Sequence, residues 1–224
     1  ARRMSRGEAG MLRRAFVSTA DYSLLPDMVS GFRERYPAVE LALLEMTSDL
    51  QIEALLEESV DAGMVIAASH AGLPGTLGYR PLLREPLVAA VPQAWIDEGR
   101  EGFAAAALPA GALRTAPLIL FPRRSAPAFH DIVSGYYAAQ GIAPTVRQEA
   151  IQMQTIISLV AAGMGLALVP HSLQRLQRQG VRYLPLQQAA PVIETGLAWR
   201  LDDRSPVLRR FLDMIEERAE REAV

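Results

Sequence analysis

The sequence contains no cysteine and no lysine, and each absence excludes a class of chemistry. Without cysteine there are no disulfides, no thiolate nucleophiles and no Cys-ligated zinc sites. Without lysine there is no Schiff-base chemistry and no P-loop lysine, so all 23 basic residues are arginines. The lack of cysteine fits a reducing cytoplasm, which is the compartment that we expect.

Long apolar runs and a basic charge excess are also missing. No run approaches the roughly 18 apolar residues of a membrane-spanning helix, and the opening stretch ARRMSRGEAG lacks the apolar core of a signal peptide. We therefore expect no membrane association. The formal net charge is −2, from 23 basic and 25 acidic residues. This near balance argues against nucleic-acid binding by this chain, because phosphate backbones are normally bound by a basic face.

Strands alternate with helices along the chain, and half of the 224 residues are hydrophobic, which is enough for a packed core. This alternation predicts an α/β architecture with largely parallel sheets. Expected strands cover residues 12–17, 39–46, 61–67, 87–91, 118–121, 145–150, 166–169 and 192–199. Expected helices cover residues 25–36, 47–58, 127–140, 153–162 and 205–222.

Two β-α-β-α-β runs, at residues 12–67 and 118–169, predict two subdomains joined by two crossover segments. The expected division is 1–10 as the end of a linker helix, 11–84 with 192–224 as subdomain I, and 85–191 as subdomain II.

Polar residues stand at four places where an expected strand leads into a helix. These places are VSTAD (17–21), MTSDLQ (46–51), FPRRSAPAF (121–129) and AIQMQT (150–155). In open α/β sheets, ligands bind at the carboxyl ends of strands, where helix N-termini favour anions. We therefore expect Ser18, Thr19, Thr47 and Ser48 to hold a small anionic or polar ligand. The alternative is local helix capping, for which Ser48 and Gln51 have capping-box spacing.

Charged and catalytic residue types give weaker signals. Arg123 and Arg124 could pair with a ligand carboxylate, with surface solvation as the alternative. A catalytic serine is not supported, because the sequence has no G-x-S-x-G motif, and His70, His130 and His171 lie far apart in sequence. The histidines also lack metal-binding spacing. We expect no enzymatic activity, no metal and no cofactor.

At these junctions the sequence resembles the effector-binding domain of LysR-type transcriptional regulators. The first half of that domain resembles GMLRRAFVSTADYSLLPDMVSGFRERYPAVELALLEMTSDLQIEALLEESVDAGMVI. The family's crossing segment resembles LREPLVAAVP, and its glycine-punctuated helix and strand resemble QMQTIISLVAAGMGLALVP. The V-S-[ST], Y-x-x-L-P and LFPRRSAPAF pieces are closest to the branch that senses muconate and benzoate. The resemblance implies a periplasmic-binding-protein-like fold, with two α/β subdomains and an effector cleft between them.

The resemblance also implies which residues contact a small carboxylate or aromatic-acid effector. In the muconate-type sensors, the positions matching Ser18 or Thr19 and Ser48 hold ligand carboxylates. The sequence departs from those sensors at Thr47, where they tend to have Gly, and at Gln152, where some have Glu. The expected effector-binding residues are Ser18, Thr19, Ala20, Thr47, Ser48, Pro122, Arg123, Pro127, Phe129, Gln152, Met153 and Val169.

The resemblance further implies macromolecular partners. The family pairs these domains as dimers within tetramers of the full-length protein, and binds promoter DNA through an N-terminal winged helix-turn-helix domain that this chain does not contain. RNA polymerase is a further implied partner. The apolar stripe of helix 25–36 could be partly left over for a second copy, so the expected dimer interface is Met28, Ser30, Phe32 and Arg33. The rival interpretation is a periplasmic solute-binding protein for a small anion, which shares the fold.

Overall fold

The computed structural model describes residues 6–67 and 72–222, with side chains described up to residue 218 at the C-terminus. The strands are β1 Ala9–Phe16, β2 Ala38–Glu45, β3 Ala62–Ile66, β4 Leu77–Pro92, β5 Pro117–Leu120, β6 Thr145–Glu149, β7 Ala167–Pro170, β8 Val181–Leu184 and β9 Val192–Arg200. The helices are α1 Leu25–Arg35, α2 Ser48–Leu56, α3 Gln93–Asp97, α4 Ala110–Thr115, α5 Pro127–Ala139, α6 Met153–Ala161 and α7 Pro206–Glu222, with 3-10 helices at Ser18–Tyr22 and His171–Leu176.

The chain divides into two compact units. Unit 1 consists of Ala1–Leu83 and Thr195–Val224, and unit 2 consists of Arg84–Glu194. The strands β4 and β9 each continue from one unit into the other.

The sheet of unit 1 has the strand order β2-β1-β3-β9-β4. β1 pairs in parallel with β2, from Ala9 opposite Ala38 to Phe16 opposite Glu45, and in parallel with β3. β9 is antiparallel to β3. Because β1, β2 and β3 are parallel, their carboxyl ends meet at one edge of the sheet, and the 3-10 helix and α2 begin at that edge.

In unit 2, β7, β4 and β8 are neighbours in that order, and the parallel strands β5 and β6 form a separate two-stranded sheet. An isolated parallel bridge joins Leu118 of β5 to Leu166, directly before β7, and the N–H of Ile119 donates to the carbonyl of Leu166 at 2.8 Å. β4 is antiparallel to both β7 and β8. The prediction of largely parallel sheets is therefore right for β1, β2, β3, β5 and β6 and wrong for β4, β8 and β9. β7 follows the crossover helix α6 but is antiparallel to its neighbour β4, so the sheet is mixed.

The core of unit 1 lies between the sheet and the helices α1 and α7. Phe32 of α1 packs edge-on against Phe211 of α7, with ring centroids 5.3 Å apart, and both side chains are fully buried. The guanidinium of Arg14 on β1 lies 4.0 Å above the Phe211 ring centroid. Among the described residues, none accepts a hydrogen bond from this guanidinium, although Arg14 is completely buried. Burial lowers the pKa of Arg14 to about 9.

Several expectations about elements are wrong. Of residues 1–10, which were expected to end a helix, the structure describes 6–10, and these form a turn and the start of β1. β8 and the short helices α3 and α4 were not predicted, because four to six residues give too little periodicity to detect. Within the described residues, no helix is long and apolar enough to cross a lipid bilayer.

Candidate functional site

Three backbone and side-chain hydrogen bonds bring the strand ends of unit 1 together. The N–H of Met46 donates to the carbonyl of Phe16 at 3.0 Å, and the N–H of Val17 donates to the carbonyl of Met64 at 3.2 Å. The N–H of Ile66 donates to Ser48 Oγ at 3.1 Å. The residues that follow β1, β2 and β3 are thus held at one place, which we call the unit 1 strand-end site: Ser18, Thr19, Thr47 and Ser48.

The capping-box prediction for α2 is wrong. The N-cap residue is Thr47, not Ser48, and Ser48 is the first helical residue. Gln51 Nε2 donates to the carbonyl of Met46 at 2.9 Å instead of returning to the N-cap. In the described part of the chain, no side chain caps the first turn of α2. Its free N–H groups and the helix dipole therefore favour an anion at this end.

Two buried hydroxyls at this site have no hydrogen-bond partner within the described residues. They are Thr19 Oγ1 and Thr47 Oγ1, and Thr19 is only 4% exposed. Buried polar atoms are usually satisfied, and leaving one unpaired costs about 1–3 kcal/mol. Ser48 Oγ accepts the Ile66 N–H, which leaves the hydroxyl proton of Ser48 to be donated. The site can thus donate hydrogen bonds from both side chains and backbone.

Ala20 does not fit its expected role in effector binding. Its side chain is completely buried, its N–H donates to the carbonyl of Val17 at 2.9 Å, and its carbonyl accepts the N–H of Ser23 at 3.1 Å. The 3-10 helix turns the methyl group of Ala20 into the core of unit 1 and uses both backbone groups internally. Ala20 therefore supports the turn that carries Ser18 and Thr19.

A carboxylate also stands at the edge of this site. Burial, and secondarily the charge of Glu45, raise the pKa of Asp21 above its ordinary value. The negative charge of Asp21 therefore opposes an anion nearby, and this opposition weakens as the pH falls and Asp21 becomes protonated.

In unit 2, the carboxyl ends of β5 and β6 lead in the same way to α5 and α6. The N–H of Ala150 donates to the carbonyl of Leu120 at 3.1 Å, which brings these ends together. Gln152 is the N-cap of α6, and its side chain is exposed and makes no capping bond. Pro127, the first residue of α5, is also exposed.

Four other residues that were expected to contact the effector are buried within unit 2. Phe129 packs edge-on against Phe121 with ring centroids 5.2 Å apart. Met153 and Val169 have no exposed surface, and Pro122 is buried as well. These apolar side chains pack in the core behind the strand ends, and their contact with the effector stays a prediction.

Arg123 is already paired. Its Nε donates to Asp131 Oδ1 at 2.8 Å and its Nη2 donates to Asp131 Oδ2 at 3.0 Å. The hydrogen bond from Arg123 is the main cause that lowers the pKa of Asp131 to about 2. Arg124 Nη1 lies 3.9 Å from Glu149 Oε2 and is mostly exposed. Of the two alternatives for these arginines, the structure therefore favours surface ion pairs over a free carboxylate-binding group.

The histidines do not form a catalytic arrangement in the described parts of the chain. Ser134 Oγ and Asp131 Oδ1 approach the same ring nitrogen of His130, at 3.5 and 3.3 Å, whereas a catalytic triad needs the two ring nitrogens in separate roles. His171 Nδ1 lies 2.9 Å from Gln174 Nε2. His70 lies outside the described residues. Within those residues, no group of three metal-binding side chains is gathered.

Comparison with known proteins identifies the family. The family model of the LysR substrate binding domain matches residues 5–220. The chain belongs to the LysR substrate-binding domain family.

Relatives of this LysR domain are named transcriptional regulators. The chain is 51% identical over 217 residues to the HTH-type transcriptional regulator IlvR of Caulobacter vibrioides, covering 97% of this chain and 71% of that protein. It is 32% identical to CatR of Pseudomonas putida, covering 98% of this chain and 72% of that protein.

Solved structures agree with the fold. The LysR family regulator CbnR superposes with a TM-score of 0.80 at 24% identity, covering 96% of this chain and 71% of that one. The effector-binding domain of BenM with its effector benzoate has a TM-score of 0.75 at 26% identity, covering 96% and 94%. The predicted periplasmic-binding-protein-like class, with two α/β subdomains, is confirmed.

Two residues of this LysR domain were missed as supports of the unit 1 site. Gln51 is completely buried, and its Oε1 lies so close to Gly63 that an added Cβ there would sit 2.7 Å away. The N–H of Ile66 fixes Ser48 Oγ. A backbone donor leaves no trace in the sequence. Gln51 was noted in the sequence, but only for its capping-box spacing with Ser48.

Proposed function

We propose that this chain is the effector-binding domain of a LysR-type transcriptional regulator and that it binds the carboxylate of a small effector at the unit 1 strand-end site. The observation that carries this proposal is the pair of unpartnered hydroxyls, Thr19 Oγ1 and Thr47 Oγ1, beside the uncapped first turn of α2. A carboxylate accepts hydrogen bonds from all of these donors and interacts favourably with the helix dipole.

In unit 2, Gln152 and Pro127 are exposed at the matching strand ends, and they stay predicted effector-binding residues. The proposal leaves out Arg123, because that side chain is paired with Asp131.

The chemical class of the effector is a small carboxylic acid. The benzoate bound by the related BenM domain supports a carboxylate. Membership of the aromatic-acid branch has weaker support, because identity to BenM is 26% whereas identity to IlvR is 51%. We therefore define the effector by its carboxylate and leave its remainder to experiment.

The effector regulates the parent protein by binding one conformation better than another. A ligand that binds both conformations equally shifts nothing, and a nearly complete switch requires a difference of about 5.5 kcal/mol. We propose that the parent protein binds promoter DNA in the cytoplasm through a separate helix-turn-helix domain and acts with RNA polymerase. The names of the relatives and the CbnR–DNA complex support the DNA-binding part. They do not favour the rival periplasmic solute-binding protein.

We also propose that the domain dimerises through the exposed side of α1, as the first stage of a tetramer. Ser30 and Arg33 are exposed there, beside a groove of about 460 Å³ that also includes Val29 and Leu43. Met28 and Phe32 were expected at this interface but are buried against the core of unit 1, so they cannot contact a partner.

The effector proposal is tested with Thr47→Val, which removes the hydroxyl while keeping the shape of the side chain. A panel of small acids, including benzoate, is first screened by thermal shift, and the best binder is titrated by calorimetry. We expect Thr47→Val to weaken its binding by about ten- to a hundredfold, the loss of one hydrogen bond to a charged group. Thr115→Val, at an exposed threonine of α4, is the matched control. Equal affinity in both variants would remove Thr47 from the site.

A further inference from the structure

Charge is strongly segregated along this chain. Residues 36–79 contain Asp and Glu but no Arg, whereas residues 150–193 contain Arg but no Asp or Glu. The first segment includes α2 of unit 1, and the second includes β8 of unit 2 with the 3-10 helix that precedes it. Each copy of the protein therefore has an acidic segment in unit 1 and a basic segment in unit 2.

The acidic surface is one face of α2. Asp49, Glu53 and Glu57 follow at intervals of four residues, and Leu50 and Leu56 share the same arc of about 120°. Glu53 and Glu57 are exposed, and the two leucines are 49% and 48% exposed. Within the described parts of the chain, none of the three carboxylates forms an ion pair. Like charges four residues apart on a helix repel each other, so an external cation would stabilise this face.

The basic surface is a groove of about 450 Å³ in unit 2, lined by Arg178 and Arg182 with the amides of Gln174, Gln177 and Gln179. Both arginines are exposed, and neither forms an ion pair with any described residue. A guanidinium donates two parallel hydrogen bonds to a carboxylate, and side-chain amides add further donors. The groove volume lies in the range of sites that hold a ligand or a few side chains.

We propose that this basic groove docks the acidic face of α2 from a second copy of the chain. The occupant follows from charge complementarity: the groove offers arginines and amide donors without acidic neighbours in sequence, and α2 offers carboxylates without basic ones. The two surfaces differ, so the contact is head-to-tail and distinct from a two-fold contact through Ser30 and Arg33 of α1. It is small and charged, which makes it weak, salt-sensitive and suited to linking dimers rather than forming them.

Charge reversal tests this contact in solution. Sedimentation velocity of the chain is compared at about 0.05 M and about 0.5 M NaCl, where the screening length falls severalfold. We expect the higher-order association seen at low salt to weaken at least tenfold at high salt, and to weaken as much in R178E/R182E and in E53R/E57R. Thermal melting checks the fold of the second variant, because its new arginine at position 57 follows the end of α2, where Arg200 already donates to the carbonyl of Leu55 at 3.0 Å. R114E/R204E reverses two exposed arginines outside the groove and is the matched control.

The decisive experiment mixes the two reversed variants in equal amounts. Each alone lacks one matching surface, but the mixture again pairs an acidic with a basic surface, so association returns only if the contact joins two copies. No recovery in the mixture, or unchanged association in either reversed variant with thermal melts like the parent, overturns the proposal. Loss of binding to a DNA duplex in R178E/R182E without any change in self-association also overturns it, and assigns the groove to nucleic acid.

Discussion

The strand ends of the two units are built alike but hold their polar groups differently. In unit 1, the residues after β1 and β2 include Thr19 and Thr47, whose buried hydroxyls lack partners among the described residues. In unit 2, Arg123 after β5 is held by Asp131, and Phe129 packs against Phe121. The unit 1 strand-end site thus has hydroxyls that are available to donate to a ligand. At the strand ends of unit 2, the charge of Arg123 is balanced by Asp131, and the neighbouring contacts are mainly apolar.

The difference follows from the reach of the side chains. A threonine hydroxyl is fixed within one bond of Cβ, so the backbone decides what it can contact. An arginine extends far enough for Arg123 to reach Asp131, eight residues further along the chain. The short threonine side chains therefore keep a hydroxyl that can bind a ligand, whereas the long Arg123 side chain forms an ion pair within the chain. The following predictions test whether the unpartnered hydroxyls of unit 1 bind a ligand and the paired Arg123 of unit 2 does not.

The largest effect is expected for Arg14, a further buried polar side chain of unit 1 whose nitrogens have no hydrogen-bond partner among the described residues. Arg14→Met replaces a buried, unpaired guanidinium by an apolar side chain that can still pack on Phe211. We expect the free energy of unfolding to rise by about 1–4 kcal/mol in guanidinium titrations at pH 7. Burial lowers the folded-state pKa, so the cost of the charge is present at pH 7 and decreases above about pH 9, where the gain should shrink.

Arg14→Met also shows whether an unpaired polar group in the core affects ligand binding, as we expect for the hydroxyls at the strand ends. Arg14 lies in the core rather than at the strand ends, so Arg14→Met should leave carboxylate affinity unchanged within twofold or so, by calorimetry. A loss of stability in Arg14→Met would mean that its stacking on Phe211 outweighs the burial of its charge.

Thr19→Val should change stability and binding in opposite directions. Removing an unsatisfied buried hydroxyl is expected to raise the unfolding free energy by about 1 kcal/mol, while the loss of a donor weakens carboxylate binding by about ten- to a hundredfold. Thermal melts and calorimetry on one preparation measure both. If stability falls instead, the Thr19 hydroxyl has an intramolecular role and the contrast between the units is not about ligands.

The sequence predicted the parallel strands of both units and the strand ends that bring Ser18, Thr19, Thr47 and Ser48 together, because apolar periodicity and hydroxyls at strand ends are local signals. That these residues bind an effector stays a prediction. It misassigned the N-cap of α2, since Ser48 is held by the backbone N–H of Ile66, 18 residues away. It also assigned Met28 and Phe32 to a dimer interface although both are buried, because a pattern of apolar residues does not reveal how much of a stripe its own core covers. Long-range pairs such as Arg123 with Asp131 were equally invisible.

A smaller effect is expected for Asp21→Asn at the edge of the unit 1 site. Burial and Glu45 raise the folded-state pKa of Asp21, so its charge disfavours the folded state above that pKa, and the penalty disappears at low pH. We expect Asp21→Asn to stabilise the protein by about 0.5 kcal/mol or less at pH 7, and not at pH 3, since the group is partly exposed. Its carboxylate affinity should rise about twofold at low salt, where repulsion is least screened.

The smallest effect on binding is expected for Arg123→Gln in unit 2. If Arg123 serves Asp131 rather than the effector, this variant leaves carboxylate affinity unchanged, and its signature appears at Asp131. The Arg123 hydrogen bond holds the pKa of Asp131 at about 2, so the stabilisation from this pair is present at neutral pH and lost as the pH falls towards 2. In Arg123→Gln the pKa of Asp131 should rise towards its ordinary value, which NMR of the carboxyl carbon measures directly.

Asp131→Asn is the matched variant, because it releases Arg123 instead of removing it. Tighter carboxylate binding in Asp131→Asn together with weaker binding in Arg123→Gln would show that the effector competes with Asp131 for this arginine, and the contrast between the two units would then hold only for the effector-free protein.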